Sequence, residues 1–323
     1  MKNTYSVDLL IIDEVHCTAS PTNILIYQTV NYKYLLGLTA TFERLDGRHE
    51  LLLKYMTVCD TITTEEAVKN NWLSPYRNYK VLLKVDLTQY NEWNTKFHSM
   101  FSFFNFDFKL AMGCIQDKRV AAKFARMIGK SDKEVRGYAA NWMSLLRKRK
   151  SFVMSHPYKF EIANKILDAR SDKKCIAFSA TIKDAEKFKS KGALILHSKQ
   201  RKKENEAVMA VFNSRPNGIL STSKCADAGV DIKGLSVGII LSGDSSKTRT
   251  TQRVGRIIRF EEGKISEMFT LVVAGTVEET WFNNSNTNKQ YITINEDQLD
   301  IILNGGEISS RPRTGIEDMK NRY

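Results

Sequence analysis

Asp13 and Glu14 are adjacent carboxylates at the end of an aliphatic run, Leu9-Leu10-Ile11-Ile12, and His16 follows after one apolar residue. Two acids side by side repel each other unless a cation or a proton lies between them. Mg2+ together with nucleotide phosphates is the commonest answer, one acid supporting the metal shell and its neighbour orienting or deprotonating a water. A helix N-terminus that happens to carry acids is the plain alternative. Far along the chain stands Thr251-Gln252-Arg253-Val254-Gly255-Arg256-Ile257-Ile258-Arg259. On a helix, Arg256 and Arg259 would project from one face with Gln252 one turn earlier. Such paired guanidinium forks suit a γ-phosphoryl group in transfer, or are ordinary salt-bridge partners.

These groups need strands and helices to hold them. The run before Asp13 is short and β-branched, which predicts a strand buried on both faces of a parallel sheet, with the acids emerging at its carboxyl edge. A second run, Tyr34-Leu35-Leu36-Gly37-Leu38, ends in Thr39-Ala40-Thr41. Hydroxyls there suit a phosphate-sensing or hinge position, or a simple turn. Later strands are expected at residues 175–178, 193–196, 218–222, 237–241 and 268–273, separated by helical segments. Regular alternation of this kind argues a twisted parallel sheet covered by helices. The strand ending in Ser221-Thr222-Ser223 leads into a small-residue turn with Gly229 and Asp231, which offers backbone amides and an acid to a ligand, or is a plain loop.

The fold class is therefore α/β, with four parts expected: residues 1–88 with the first sheet, a helical and basic insertion at 89–150, a second sheet at 151–284, and a polar tail at 285–323. Residues 79–87 alternate like a strand leaving the first domain. In the insertion Phe97, Phe101, Phe103, Phe104, Phe106 and Phe108 read as helix core, a base-stacking platform being the alternative.

The chain of 323 residues can bury a core in each of two domains. Its formal charge of +13 and pI near 9.4 favour a polyanionic partner, above all nucleic acid. The excess concentrates in Arg147-Lys148-Arg149-Lys150 and in residues 199–203, so Arg147 and Arg149 are candidate nucleic-acid contacts, a solvated helix face being the alternative. No apolar run is long enough to span a bilayer and no signal peptide opens the chain, which gives the expectation of no membrane and a cytoplasmic setting. Five widely spaced cysteines suggest buried thiols rather than a zinc site or disulfides.

Taken together, Asp13-Glu14-Val15-His16, Gly37-Leu38-Thr39-Ala40-Thr41, the 222–231 segment and Gln252 to Arg259 resemble motifs II, III, V and VI of superfamily 2 helicases, in order and spacing, over residues 7–282. The pattern Gly-Leu-Thr-Ala-Thr-x-x-Arg-x-Asp-Gly from Gly37 to Gly47 is similar to the XPB-type and UvsW-type DNA helicases and their restriction-subunit relatives. The resemblance implies tandem RecA-like sheets and use of ATP with Mg2+. Asp13 would hold the metal and Glu14 would be the base for the attacking water. His16, Thr39 and Thr41 would couple nucleotide state to the second domain. Thr222 would contact the nucleic-acid backbone, and Gly229 and Asp231 would lie near the ribose and the domain cleft. Gln252, Arg256 and Arg259 would reach the γ-phosphate. A motif VI opening in Gln rather than His favours DNA over RNA.

One expected part is missing. A Gly-x-x-x-x-Gly-Lys-Ser/Thr loop should precede the acid pair by a long stretch, yet only twelve residues precede Asp13. Gly129-Lys130-Ser131 is a decoy, because Phe124 occupies the first glycine position and the flanks read as helix. The first RecA-like sheet is thus expected to be incomplete, with exposed edges and an apolar face, and a companion polypeptide is expected to supply the phosphate loop. Two functions remain open: the C-terminal portion of an ATP-dependent DNA helicase or translocase acting in unwinding or branch migration, and a non-catalytic nucleic-acid-binding helicase remnant.

Overall fold

The computed structural model describes residues 5–44, 46–223, 232–243, 247–287 and 289–320. Strand β1 (Tyr5–Ile12) is followed by a 3-10 turn (Val15–Ala19), the short helix α1 (Ile26–Thr29) and strand β2 (Val30–Gly37). β1 and β2 pair in parallel, from Tyr5 opposite Val30 to Ile12 opposite Gly37, and form a two-stranded sheet. One face of that sheet is covered. Ile12 packs with Val15, Ala19, Tyr27 and Leu52 into a small core. The other face is bare: Leu9 is 48% exposed, Ile11 55% and Tyr34 70%. The expectation of a strand buried on both faces fails here because no element among the described residues covers the second face, while the expected exposed apolar face is present.

After a 3-10 segment (Arg48–Lys54), helix α2 (Thr64–Lys69) starts where Thr63 accepts a hydrogen bond from the Glu66 N–H at 3.1 Å. Strand β3 (Tyr76–Leu83) follows. Expected to leave the first domain, it is instead an interior strand of the larger sheet, paired in parallel with a strand at Ser266–Val273 over its whole length. Its sequence disguises this position because Lys80, in mid-strand, is buried. Lys80 Nζ donates to Asn283 Oδ1 at 3.0 Å and to Asp318 Oδ2 at 3.2 Å.

Four helices form the insertion: α3 (Thr88–Ser102), α4 (Phe108–Gln116), α5 (Lys118–Ile128) and α6 (Asp132–Met154). Phe97, Phe104, Phe124 and Trp142 are buried at its centre with Phe101 and Phe103 packed against them, so most of the aromatic cluster is core, but Phe106 and Phe108 are exposed, contrary to expectation. Gly129 closes α5 in the left-handed conformation and Ser131 opens α6 in a capping box with Glu134, which makes Gly129-Lys130-Ser131 a helix–helix turn.

The second sheet uses helix α7 (Pro157–Ala169), β4 (Lys174–Phe178), α8 (Ile182–Glu186), β5 (Leu194–His197), α9 (Lys202–Ser214), β6 (Gly218–Ser223), β7 (Leu235–Ile240), α10 (Lys247–Ile257), β8 (Ser266–Val273), α11 (Val277–Ser285) and β9 (Ile292–Ile294). Its seven strands run in the order β5-β6-β4-β7-β8-β3-β9, all parallel. β4 shows why both faces must be covered. Cys175 and Ala177 enter one core with α7, and Ile176 and Phe178 enter the other with α9 and α10.

Among the described residues the polar tail is structured. β9 joins the sheet edge, and helix α12 (Glu296–Leu303) buries Leu299 and Ile302 in the core beside α7. Arg170 fastens this end. Its guanidinium grips Glu267 at 2.6 and 3.0 Å and also donates to the carbonyls of Ile302 and Leu303. A last helix, α13 (Gly315–Lys320), supplies Asp318 to Lys80. Of the cysteines, Cys114 and Cys175 are buried, but Cys17 and Cys59 are exposed, contrary to expectation, and Cys225 lies outside the described residues.

Candidate functional site

The parallel pairing of β1 and β2 brings Asp13-Glu14 and Thr39-Ala40-Thr41 out at one sheet edge. The ladder continues past the strands, with Leu38 N–H donating to the Ile12 carbonyl at 2.8 Å and Val15 N–H to the Leu38 carbonyl at 2.9 Å. Gly37 is required at this crossing, since a Cβ there would lie 2.8 Å from Met56 Sδ and 3.0 Å from a Val15 methyl. Glu14 is left-handed, φ 50° and ψ 46°, and its N–H is held by Asp13 Oδ1 at 2.8 Å. A non-glycine residue in that region costs on the order of 1 kcal/mol and is found where a site needs the side chain aimed. Here Glu14 Oε1 accepts a 3.0 Å hydrogen bond from Gln252 Nε2 on α10.

His16 lies under the acid pair. Thr39 Oγ1 donates to the Thr41 carbonyl at 3.0 Å, so its one hydroxyl hydrogen is used. The 2.8 Å contact between Thr39 Oγ1 and His16 Nδ1 therefore places the ring proton on Nδ1, a tautomer assigned from the network. The same Nδ1 lies 3.3 Å from Glu14 Oε2. His16 thus lies between the hydroxyl turn after β2 and Glu14 after β1.

Arg44 was given no role by sequence reasoning, although it stands in the Arg-x-Asp pattern. Its guanidinium grips Asp46 with two bonds, at 2.9 and 2.7 Å, and donates a third to the His16 carbonyl at 3.0 Å. Asp46 is held well below the usual carboxylate range by these bonds from Arg44. The loop after Thr41 is thereby fastened to the turn carrying His16.

Helix α10 approaches from the larger sheet. It crosses β7 at Gly238, where a Cβ would sit 2.1 Å from Ile257 Cδ1. Val254 and Ile257 anchor it in the core, while Arg253 donates to the Ser242 carbonyl at 3.3 Å and lies 4.9 Å over the Phe178 ring. Arg253 is thus a packing residue. Arg256 is buried at 8% exposure. Arg259 departs from expectation, because α10 ends at Ile257 and Arg259 is exposed in an antiparallel bridge with Leu73. Arg256 and Arg259 do not share a helical face. Ser74, in the linker before β3, explains the break. Its N–H takes the Ile258 carbonyl at 2.8 Å and its hydroxyl donates to the Arg259 carbonyl at 3.1 Å, drawing the chain out of helix.

The remaining candidates are dispersed. Thr222 is fully buried in β6, where no strand could touch it as found. Gly229 and Asp231 lie outside the described residues. Arg147 is exposed on α6, but Arg149 is buried, its guanidinium 4.1 Å over the Phe97 ring in the insertion core. The alternating exposure of a helix face separates these two neighbours, which a charge run cannot reveal.

Asp13 is exposed and flanks Glu14. Among the described residues no group of three or more His, Cys, Asp or Glu side chains could cage a metal. The donor set suits Mg2+, which keeps waters and asks for one or two carboxylates plus substrate phosphates.

Residues 158–261 match the helicase conserved C-terminal domain family. The chain is similar to the DNA 3'-5' translocase XPB2 of Sulfurisphaera tokodaii, 29% identical over 276 residues that cover 84% of this chain and 60% of that protein. Over residues 158–261 the chain carries the helicase C-terminal domain pattern, and over most of its length it is similar to helicases. A helicase-named protein of the Sulfolobus islandicus filamentous virus is 27% identical over 270 residues, covering 80% of this chain and 41% of that one. The chain spans 60% and 41% of the lengths of these two curated relatives. In fold it is RecA-like α/β. S. cerevisiae Dbp5 bound to RNA and ADP BeF3 superposes with a TM-score of 0.52, at 13% identity, over 92% of this chain and 62% of that one.

Proposed function

We propose that this helicase-family chain is the C-terminal portion of an ATP-dependent DNA helicase or translocase, completed by a companion polypeptide that supplies the phosphate loop. The observation that carries the reading is the Gln252–Glu14 hydrogen bond, which brings motif VI onto motif II across two sheets. In this reading Glu14, aimed by its left-handed backbone, takes a proton from the attacking water on Oε2, which is free of hydrogen bonds among the described residues, while Gln252 holds Oε1 in place. Asp13 would hold Mg2+, which would supply charge neutralisation at the nucleotide phosphates. Arg256 stabilises charge on the transferring phosphoryl group, and Thr39 and Thr41 relay closure of the cleft through His16. Arg259, exposed at the end of α10, reaches the same cleft only if the Ser74 linker releases it.

DNA rather than RNA is favoured by the 29% identity to a DNA 3'-5' translocase and by Gln at the start of motif VI. A companion polypeptide is supported by the bare apolar face of β1 and β2. Among the described residues no helix is long and apolar enough to cross a membrane, and an intracellular setting goes with the use of ATP and DNA.

The test is DNA-stimulated phosphate release by the chain alone and with a co-expressed polypeptide carrying the phosphate-loop half. Activity only in the combination supports the reading. Full activity of the chain alone sinks the companion requirement, and salt-dependent DNA binding with no hydrolysis in any combination makes the chain a binding remnant.

A further inference from the structure

Where the insertion meets the second sheet, the structure holds a pocket of about 340 Å3 lined by Trp93 of α3, Lys148, Ser151 and Phe152 of α6, and Ser155 and His156 at the entry to α7. That volume lies in the range of small-ligand pockets. Its wall is an aromatic series: Trp93 meets Phe152 edge-on at 6.3 Å, and Phe152 meets His156 at 5.0 Å. Its rim is cationic. Lys148 Nζ lies 5.9 Å over the Trp93 ring, and Arg147, Lys148 and Lys150 are all exposed on the same stretch of α6. The floor is fixed, because Ser155 Oγ donates to Asp184 Oδ2 at 2.6 Å and His156 Nδ1 caps α7 by accepting the Tyr158 N–H at 3.3 Å.

Flat π-faces with a movable ammonium beside them are what an unpaired base and its phosphate require, whatever the base. A duplex keeps its bases stacked inside and cannot present one. Lys148 sits on a flexible stem, so its ammonium can leave the indole for a phosphate while a base takes the ring face. We propose that this pocket stacks one unpaired base of a single-stranded nucleic acid on Trp93, with Lys148 on the adjoining phosphate. It lies apart from the Glu14–Gln252 contact and would hold a displaced or tracked strand beside the second sheet.

This site rests on the reading of the chain as a nucleic-acid motor, and the test separates the two. Full-length wild-type protein, Trp93→Ala, Trp93→Phe and Lys148→Ala are titrated against oligo-dT, oligo-rU and a duplex of equal length by fluorescence anisotropy at several salt concentrations. Trp93→Ala should weaken single-strand binding roughly tenfold or more, with Trp93→Phe retaining most of it and duplex affinity unchanged. Lys148→Ala should lower the salt slope by about 0.7. Comparison of oligo-dT with oligo-rU tells which strand the pocket takes. Wild-type binding to single strands that Trp93→Ala leaves unchanged overturns the pocket, whereas no binding of any nucleic acid by wild type overturns the motor reading as well. Should Trp93→Ala fail to fold, photocrosslinking of wild type to 5-iododeoxyuridine oligo-dT decides. Label on Trp93 or on residues 148–157 supports the pocket, and label only elsewhere overturns it.

Discussion

Gln252 Nε2 donates a 3.0 Å hydrogen bond to Glu14 Oε1, joining residues 238 positions apart and on different sheets. The contact pairs a neutral donor with a carboxylate, the stronger class of hydrogen bond, worth about 1.5–3 kcal/mol when its partner is charged. It also has directional backing: Gly238 lets α10 lie close on β7, and the left-handed Glu14 turns its carboxylate to meet that helix.

Removing the donor should loosen the smaller sheet without unfolding the larger. Gln252→Ala is expected to speed amide exchange at Glu14 to His16 by roughly tenfold. Exchange in β4 and β8 should not change, because their cores do not involve this side chain. Hydrogen-exchange mass spectrometry reads both, and equal protection in the two proteins would show that the contact carries no energy.

Arg149 should behave as a core residue. It is 7% exposed and stacked on Phe97, so Arg149→Ala is expected to destabilise the insertion by about 1–2 kcal/mol while leaving the salt dependence of DNA binding as it was. Arg147→Ala, at an exposed position, should do the reverse. Chemical denaturation and salt-titrated binding measure the pair.

Gly238→Ala introduces a methyl where α10 leaves no space, with Ile257 Cδ1 only 2.1 Å from the new Cβ. Overpacking of this kind costs about 1–3 kcal/mol. The helix bearing Gln252 and Arg256 must shift, so both the thermal midpoint and nucleotide-dependent activity should fall. Gly255→Ala on the same helix, with nothing within 4 Å of its Cβ, is the control that should be tolerated.

Acid should release the tail. Burial works against the Glu267 carboxylate, but hydrogen bonds from Arg170 and the charges of Arg170 and Lys173 outweigh it and hold its pKa below the ordinary value of 4.5. A depressed carboxylate pKa contributes stability that is complete above the unfolded value and is lost as pH falls through the folded one. Glu267→Gln should therefore cost on the order of 3 kcal/mol at neutral pH, and the gap to wild type should close in urea melts taken progressively below pH 4.

Much of this architecture could be read from residue order. The buried strands β4 to β8 announced themselves as short aliphatic runs, and the acid pair and the Gln252 helix could be named because chemistry-bearing types are rare at strand ends. What escaped was set by tertiary contact. Lys80 hid the central place of β3, since a lysine argues against a buried strand until Asn283 and Asp318 are seen to hold it. Arg259 was placed on a helix that Ser74 terminates, and Ser74 stands 185 residues away. Arg147 and Arg149 looked alike in a basic run, and only the packing of α6 on α3 separates them.

The most direct measurement is steady-state ATP hydrolysis, with and without DNA, by the chain completed with a phosphate-loop polypeptide, comparing wild type with Glu14→Gln. If Glu14 is the base that Gln252 holds in place, the DNA-stimulated rate should fall on the order of 100-fold or more while nucleotide and DNA binding persist. A Glu14→Gln protein that hydrolyses ATP within about threefold of wild type would contradict the account.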